Sequence, residues 1–226
     1  MTHTLPQIHN LEAALDWLKQ TQLRIAFTIS FGKEGQMLGH LLHTHGINCD
    51  FITIDTGRNF PEYYEIWHKT ERFLNRRIKS LHAQPEAIKS LLDAQGPMGF
   101  YDSVANREAC CNIRKVVPLQ DALKDYDVWV TAIRREQNTH RSDLNFAVHN
   151  EKFNLLKLAP LLDISKSALE TYIETHKIPV NPLHKKGYAS IGCQPCTRPI
   201  ADGEYERDGR WWWENTKKEC GLHLGK

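Results

Sequence analysis

Four of the six cysteines stand in two pairs whose spacing suits metal binding or redox chemistry. Cys110 and Cys111 are adjacent in REACCNIRK, and Cys193 and Cys196 form a CxxC in GCQPC. Thiols at such spacing can hold zinc, form a redox disulfide or ligate an iron–sulfur cluster. Neighbouring side chains on a helix diverge by about 100°, so adjacent cysteines suit the separate iron atoms of a cluster better than one ion. The residues alone favour a [4Fe–4S] cluster, with zinc and redox thiols as alternatives.

The two remaining cysteines differ from each other in context. Cys220 stands in KKECGLHLGK, between a charged run and a short tail that contains a histidine. It is either an incidental surface thiol or a reactive thiol that is delivered to a site elsewhere. Cys49 begins an apolar segment and is predicted to be a small core residue.

Basic residues gather beside the paired cysteines and after one predicted strand. Guanidinium groups bind phosphate or sulfate oxygens in a bidentate manner, so such a group predicts a doubly anionic substrate. The alternative for each residue is a solvated surface charge, and the net charge of +2 is too small to indicate nucleic-acid binding by itself. These residues are Arg114, Lys115, Arg134, Arg135, Arg141, Arg198, Arg207 and Arg210.

Two polar loops that contain glycine follow neighbouring predicted strands. The first, SFGKEG (30–35), comes before a helix, whose N-terminal N–H groups suit an anion; the alternative is an ordinary strand-to-helix turn. The second is DTGRNFPE (55–62). Because both loops stand at strand ends, together they predict a nucleotide site. The three consecutive tryptophans at 211–213 face different directions in any regular structure, so we expect them to pack the C-terminal segment rather than stack on bases.

The elements that position these residues alternate between strands and helices. Apolar runs predict strands at 24–30, 49–55, 78–83, 127–133 and 154–161. Helices are predicted at 11–20, 35–46, 61–76, 86–96, 107–125 and 165–177, with Ser165 as a cap and Pro118 as a break or kink. This alternation predicts an α/β fold with an open, mostly parallel sheet and helices on both faces. Such sheets bind ligands beyond the carboxyl ends of their strands.

The composition predicts a soluble protein with two parts. Hydrophobic residues make up 41% and charged residues 25% of the chain, as in ordinary globular proteins. Residues 1–180 are predicted to form a nucleotide-binding α/β domain, and 181–226 a C-terminal extension. We expect a cytoplasmic protein because no secretory signal or membrane span is evident. In a reducing compartment, closely spaced cysteines are more often metal ligands or redox catalysts than disulfides.

Several motifs together resemble one family of enzymes. CCNIRKVVPL, TAIRREQ followed by HRSDL, GCQPCTRP, and RDGRWWWE running into KKECGLH resemble the assimilatory sulfonucleotide reductases. The likeness extends from about Ser30 to His223 and is strongest to the iron–sulfur branch, which reduces adenosine 5′-phosphosulfate (APS). It implies an adenine nucleotide α-hydrolase-like fold, a [4Fe–4S] cluster, and thioredoxin or a glutaredoxin-like protein as reductant. The implied role is sulfate assimilation in cysteine biosynthesis.

The resemblance also implies a role for individual residues. Cys220 would be the catalytic nucleophile, which takes the sulfuryl group as S-sulfocysteine and releases AMP before the reductant frees sulfite. Lys115 would lie between the cluster and the substrate. The implied cluster ligands are Cys110, Cys111, Cys193 and Cys196. The implied substrate-binding residues are Ser30, Phe31 and Gly32, Thr56 and Gly57, Lys115, Arg141, Arg207, Arg210 and His223.

One departure bears on the choice of substrate. Members of the family usually carry an acidic residue at or beside Gly35, after Glu34, in the loop that helps to distinguish a 3′-hydroxyl from a 3′-phosphate. The cluster cysteines favour APS, and the nearest alternative is a reductase of its 3′-phosphorylated form (PAPS) or of both. More distant alternatives are a tRNA thiolation enzyme, whose loop usually reads SGGxDS, and a zinc-stabilised nucleic-acid-binding module. We expect APS and AMP as ligands, no nucleic-acid or membrane partner, and leave a homo-oligomer open.

Overall fold

The structure is a computed structural model that describes residues 5–137, 141 and 143–214. The predicted catalytic Cys220 and the predicted substrate residue His223 lie outside this part of the chain. Within it, no helix is both long and apolar enough to cross a membrane.

A six-stranded sheet forms the centre of the fold. The strands are β1 (Ile25–Thr28), β2 (Asp50–Ile54), β3 (Lys79–Leu81), β4 (Val128–Thr131), β5 (Ala147–Asn150) and β6 (Leu155–Leu158). Their order across the sheet is β3-β2-β1-β4-β6-β5. All neighbouring pairs are parallel except β5 and β6, which are antiparallel with Ala147 opposite Leu158. The chain therefore changes direction across the sheet between β1 and β4, where open α/β sheets bind ligands.

Seven helices accompany the strands in the described part of the chain. They are α1 (Leu11–Gln20), α2 (Lys33–Thr44), α3 (Pro61–Leu74), α4 (Pro85–Gln95), α5 (Val104–Cys111), α6 (Val117–Leu123) and α7 (Lys166–Thr175). The start of α7 follows from its sequence, because the Ser165 side chain accepts a hydrogen bond from the Ala168 N–H, as an N-cap serine should.

Both faces of the sheet are covered, as the apolar runs of its strands predict. Phe27 and Phe51 face one cluster, which also holds core side chains of α1, α2, α3 and α7. Their neighbours Ala26 and Ile52 face the opposite side and pack with Leu119 of α6. Successive residues of a strand point to opposite faces, so this arrangement confirms the predicted α/β sheet with helices on both sides.

The predicted helix at 107–125 is replaced by two helices joined by a wider turn. Residues Asn112–Val116 form one π-helical turn between α5 and α6. Pro118 has no N–H to donate and lies in the first turn of α6, where proline is tolerated. The α-helix is thus interrupted just before Pro118, as predicted, and the interruption takes the form of a π turn. The π turn carries Arg114 and Lys115, and such turns are frequent at functional sites.

The sequence did not predict strand β5. Its four residues, AVHN, carry only two apolar side chains, too few for a recognisable pattern. Pairing with β6 at the edge of the sheet defines it instead. From residue 181 the described chain contains only short 3₁₀ turns, Pro182–Lys186 and Gln194–Cys196, and an isolated bridge between Thr197 and Arg210. The division at residue 180 stays a prediction.

Candidate active site

A cavity of about 240 Å³ lies beyond the carboxyl ends of β1, β2 and β4. Residues that follow each of these strands line it, among them Ser30, Thr56 and Ala132, and the C-terminal extension closes it with Ser190 to Gly192. This is the place where the strand order reverses, which is where nucleotides bind in open α/β sheets.

The loop after β1 presents the N-terminus of α2 to the cavity. Ser30 and Gly32 line the cavity, and Gly32 is the N-cap of α2. Phe31 between them has a φ of 58° and is fully buried against Tyr63 and Trp67, with ring centroids 5.1 and 6.1 Å away. A buried aromatic thus holds the loop in a conformation that non-glycine residues rarely adopt. The Phe31 side chain packs in the core and is not part of the cavity wall.

The loop after β2 links the cavity to the CxxC segment. Thr56 lines the cavity, and its hydroxyl lies 3.3 Å from the Cys193 Sγ. Gly57 does not line the cavity; it has a φ of 67°, and its N–H donates to Asp55 at 2.9 Å. The Gln194 N–H donates to the Arg58 carbonyl at 2.8 Å. These bonds fix the CxxC turn beside the end of β2.

Four cationic side chains line the cavity. Lys115 comes from the π turn and Arg141 from the segment after β4, while Arg207 and Arg210 come from the extension. Arg141 donates to Gln137 Oε1 at 2.6 Å, and the Arg210 Nε is buried without a hydrogen-bond partner among the described residues. Residues nearly 100 positions apart in sequence thus form a wall suited to an anionic group.

A glycine makes room for one of these cations. A Cβ placed on Gly192 would lie 2.2 Å from Arg210 Nη2 and 2.5 Å from its Cζ. The guanidinium lies 4.7 Å from the centroid of the Trp211 ring, and Arg210 as a whole is only 6% exposed. Arg210 is therefore held between the Gly192 backbone and an indole.

Other arginines near the cavity are neutralised by carboxylates. Arg134 is fully buried, and its guanidinium lies 2.9 Å from Glu34, 3.0 Å from Glu136 and 3.8 Å from Glu206. Arg135 pairs with Asp163 at 2.8 Å. Arg134 therefore ties the β1 loop and the extension to the segment after β4 and is not placed as an anion ligand.

A second, small pocket adjoins the first and is lined by all four paired cysteines. Lys115 lines both pockets. Phe100 and Trp211 pack against the cysteines, and three arginines complete the lining of the small pocket. These are Arg58, Arg107 and Arg114.

The cysteines differ in their tendency to ionise. Burial alone would raise the pKa of Cys193, but Lys115, the Thr56 hydroxyl and Arg210 together hold it below its ordinary value. Burial and the neighbouring charge of Cys193 raise the pKa of Cys196 to about 12. Cations thus favour a thiolate at Cys193, whose sulfur contacts the cavity-lining Thr56.

The four thiols match an iron–sulfur cluster in donor type, and all four line the same small pocket. Among the described residues, no three His, Cys, Asp or Glu side chains are gathered closely enough to hold a single metal ion. One zinc ion needs its sulfur ligands at about 2.3 Å from a common centre, whereas a cluster separates its ligands over several iron atoms. The small pocket that the thiols line has a volume of about 10 Å³. The cysteine side chains would therefore have to move apart when a cluster binds.

Seven predicted substrate residues meet at the large cavity: Ser30, Gly32, Thr56, Lys115, Arg141, Arg207 and Arg210. The sequence did not single out several other lining residues. Glu34 was named only as part of its loop, and Gly192 and His184 were not named at all. No local pattern distinguishes them, because their roles depend on neighbours that are distant in sequence.

Comparison with known proteins agrees with this geometry. The family profile of the phosphoadenosine phosphosulfate reductase domain matches residues 24–199. The chain belongs to the phosphoadenosine phosphosulfate reductase family. Its predicted place among the sulfonucleotide reductases, and with it the prediction of an oxidoreductase, is confirmed.

The relatives of this reductase family cover most of the chain. The chain is 42% identical to an adenosine 5′-phosphosulfate reductase of Agrobacterium fabrum, over 89% of this chain and 78% of that protein. It is 41% identical to one of Allochromatium vinosum, over 98% and 88%. A phosphoadenylyl-sulfate reductase from Candida auris, solved as a phosphate complex, shares the fold with a TM-score of 0.71 at 23% identity, covering 84% of this chain and 91% of that one.

Proposed function

We propose that this chain reduces APS to sulfite and AMP, with a thioredoxin-type dithiol protein as reductant. The observation that carries the proposal is the shared wall between the two pockets. Lys115 lines both the nucleotide-sized cavity and the four-cysteine pocket. The relatives over most of the chain are named for this activity. A PAPS reductase, or an enzyme that accepts both nucleotides, is the alternative.

The cavity offers separate surroundings for the two halves of APS. The phosphosulfate carries negative charge, so it fits the wall formed by Lys115 and Arg210, whose positive charges also offset charge that develops in the transition state. The N-terminus of α2, at Gly32, offers backbone N–H groups to a phosphate. The adenosine then extends along the carboxyl ends of the strands toward Ile133.

The chemistry follows from a thiolate and a dithiol. The Cys220 thiolate attacks the sulfuryl sulfur, the bond from sulfur to the bridging oxygen breaks, and AMP leaves with the electron pair. The product is an S-sulfonate on Cys220. A thiolate of the reductant then attacks the Cys220 Sγ, sulfite leaves, and the second reductant thiol resolves the mixed disulfide. The dithiol supplies both electrons, and Cys220 returns to its thiol form.

Cys110, Cys111, Cys193 and Cys196 are proposed to hold a [4Fe–4S] cluster. When bound, such a group supplies four iron–thiolate bonds that join α5 to the CxxC turn and places its charge beside the cavity. Lys115 lies at the boundary between the two pockets, so its ammonium can orient the phosphosulfate from that side. We also propose that the chain divides into a nucleotide-binding domain, residues 1–180, and a C-terminal extension, residues 181–226. A cytoplasmic location is proposed as well.

The proposal is tested by a turnover assay on anaerobically purified protein. We expect sulfite release that requires both APS and a reduced thioredoxin, with a higher kcat/KM for APS than for PAPS. Iron and acid-labile sulfide should accompany the protein in similar amounts. Turnover on PAPS alone would favour the alternative substrate, and no sulfite from either nucleotide would overturn the proposed activity.

Gly192→Ala is expected to raise the KM for APS about 10-fold or more, because loss of a charged hydrogen bond costs about 1.5–3 kcal/mol. The new methyl would displace the Arg210 guanidinium from its place against Trp211. The measurement is initial rate against APS concentration, with thermal unfolding as a check on folding.

Ser190→Ala is the matched control for this substitution. It removes only the 3.5 Å contact between the Ser190 hydroxyl and Arg210 Nη1, without intruding on the guanidinium. Because the contact is long and no new atom is introduced, we expect its KM to rise by much less than that of Gly192→Ala. If Gly192→Ala leaves KM unchanged too, Arg210 does not contact the substrate through the group that Gly192 accommodates.

A further inference from the structure

His184 is held by a tight turn at the edge of the large cavity. It lies in the 3₁₀ turn Pro182–Lys186, which Asn181 caps by accepting a hydrogen bond from the Leu183 N–H at 3.0 Å. Gly187, with a φ of 83°, reverses the chain after the turn. The reversal brings the Tyr188 carbonyl to 2.8 Å from Nδ1 of His184. The imidazole is therefore fixed at one nitrogen and lines the cavity.

The partner of Nδ1 determines the tautomer of the ring. A carbonyl oxygen can only accept, so Nδ1 carries the proton. Burial lowers the pKa of His184, and Lys33 acts in the same direction, against the bond to Tyr188 and the carboxylates of Glu34 and Glu206. The ring is thus neutral near pH 7, and its other nitrogen, Nε2, carries a lone pair and no proton.

That second nitrogen has no hydrogen-bond partner within the part of the chain that the structure describes. The Nε2 of His184 is buried and makes no hydrogen bond with the described residues. Buried polar atoms in native proteins nearly always have a partner, and an exception calls for an explanation such as an absent ligand. Since Nε2 can only accept, the missing partner is a hydrogen-bond donor.

The chemistry of the proposed substrate limits which of its groups can be this donor. The oxygens of a phosphosulfate are anionic acceptors and have no proton to give, and they fit the cations Lys115 and Arg210 instead. The adenosine half carries N–H and O–H donors, on its exocyclic amine and its ribose. We propose that Nε2 of His184 accepts a hydrogen bond from the adenosine half of the nucleotide and so contributes to nucleoside recognition. This inference rests on the proposed function, because it presumes an adenine nucleotide in the cavity.

The test measures AMP binding to the wild type and to two variants that divide the roles of the ring nitrogens. His184→Asn retains a side-chain donor near Nδ1 for the Tyr188 carbonyl but removes the acceptor at Nε2. His184→Gln places an amide oxygen near Nε2. We expect the AMP affinity to fall about tenfold in His184→Asn and to be largely restored in His184→Gln, as fits the loss of one hydrogen bond. Calorimetric titration of the full-length, cluster-loaded protein gives these affinities.

Ligand analogues identify the donor. Inosine monophosphate lacks the exocyclic amine, and 2′-deoxy-AMP and 3′-deoxy-AMP each lack one hydroxyl. The analogue that lacks the donor should bind the wild type more weakly than AMP does, but should lose no further affinity in His184→Asn, which is the signature of a coupled pair. The other two analogues should lose the same factor as AMP in that variant.

The outcomes separate this inference from the proposed function. Equal binding of AMP by the wild type and both variants overturns the role of His184 and leaves the nucleotide site intact. A uniform loss for AMP and all three analogues in His184→Asn also overturns it, because it shows a structural role. Absence of AMP binding by the wild type would overturn the nucleotide site itself, and the inference with it.

Discussion

Cys220→Ser is expected to lower APS-dependent sulfite release by about 10³-fold or more, the scale seen when an enzyme loses its nucleophile. A serine hydroxyl does not ionise near neutral pH, whereas an ordinary thiol with a pKa of about 8.5 already supplies a few per cent of thiolate. The cations that we propose to hold the substrate, Lys115, Arg207 and Arg210, are retained in this variant, so AMP affinity should not change. The iron and sulfide content should also match that of the wild type, because the four predicted cluster ligands remain.

The covalent intermediate gives an independent measurement. Incubation with APS in the absence of reductant should leave an S-sulfonate on wild-type Cys220, visible in the mass of the intact protein and in its C-terminal peptide. The serine variant should form no adduct. Sulfite release by Cys220→Ser at the wild-type rate, or an adduct on another cysteine, would falsify the assignment.

Cys49→Ala is the matched control for removal of a cysteine. Cys49 is buried in the main core, and burial raises the pKa of its thiol to about 12. It is therefore unreactive at neutral pH. We expect this variant to keep its activity and its ability to form the adduct on Cys220.

The central architecture could be predicted from sequence because its signals are local. Strands that are buried on both faces appear in the sequence as apolar runs, as in RIAFTIS and DVWVTAI. The helices between them are indicated by the helical spacing of their apolar residues. Strand β5 has no such signal, since its four residues are ordered by pairing with β6. The break or kink predicted at Pro118 is present, but its form, a π turn directly before the proline, has no signal in the sequence.

Only part of the site could be predicted from the sequence, again because the sequence shows only local signals. Cysteine spacing and cations beside strand ends are visible in a sequence, and the structure places Lys115 and Arg210 on the same cavity. The partners of a side chain are not visible there. From the sequence, Arg134 is a candidate anion ligand. In the structure, Glu34, Glu136 and Glu206 surround its guanidinium. The space beside Gly192 likewise follows only from the approach of Arg210.

A buried ion pair gives the second large effect that we expect. Arg107 of α5 donates two hydrogen bonds to Glu214 of the extension, at 3.0 and 2.8 Å, and the two side chains are 6% and 3% exposed. Arg107 also lies 4.9 Å from the centroid of the Trp211 ring. The pair thus joins the segment that carries the three tryptophans to the helix that carries Cys110 and Cys111.

Arg107→Met is expected to lower the free energy of unfolding by about 3–5 kcal/mol, because it removes the bidentate guanidinium from the buried Glu214 carboxylate. Glu214→Leu should also lower the free energy of unfolding, because the Arg107 guanidinium loses its carboxylate. The loss should be smaller than for Arg107→Met, because Glu108, 3.7 Å from Arg107, can partly replace Glu214. Urea unfolding of the cluster-loaded protein, followed by tryptophan fluorescence, measures both. An exposed pair serves as control: Lys89→Met breaks the contact with Asp93 and should cost at most about 0.5 kcal/mol.

The double variant distinguishes the cost of an unpaired charge from the value of the pair. Replacing both partners with apolar residues leaves no buried charge, and such replacements are often neutral for stability. We therefore expect Arg107→Met with Glu214→Leu to recover most of what each single variant loses. If the two losses simply add, the side chains act separately and the ion pair does not hold the extension. If the stability returns but APS turnover does not, the directional bond is needed to position Glu214, which stands six residues before Cys220 in the sequence.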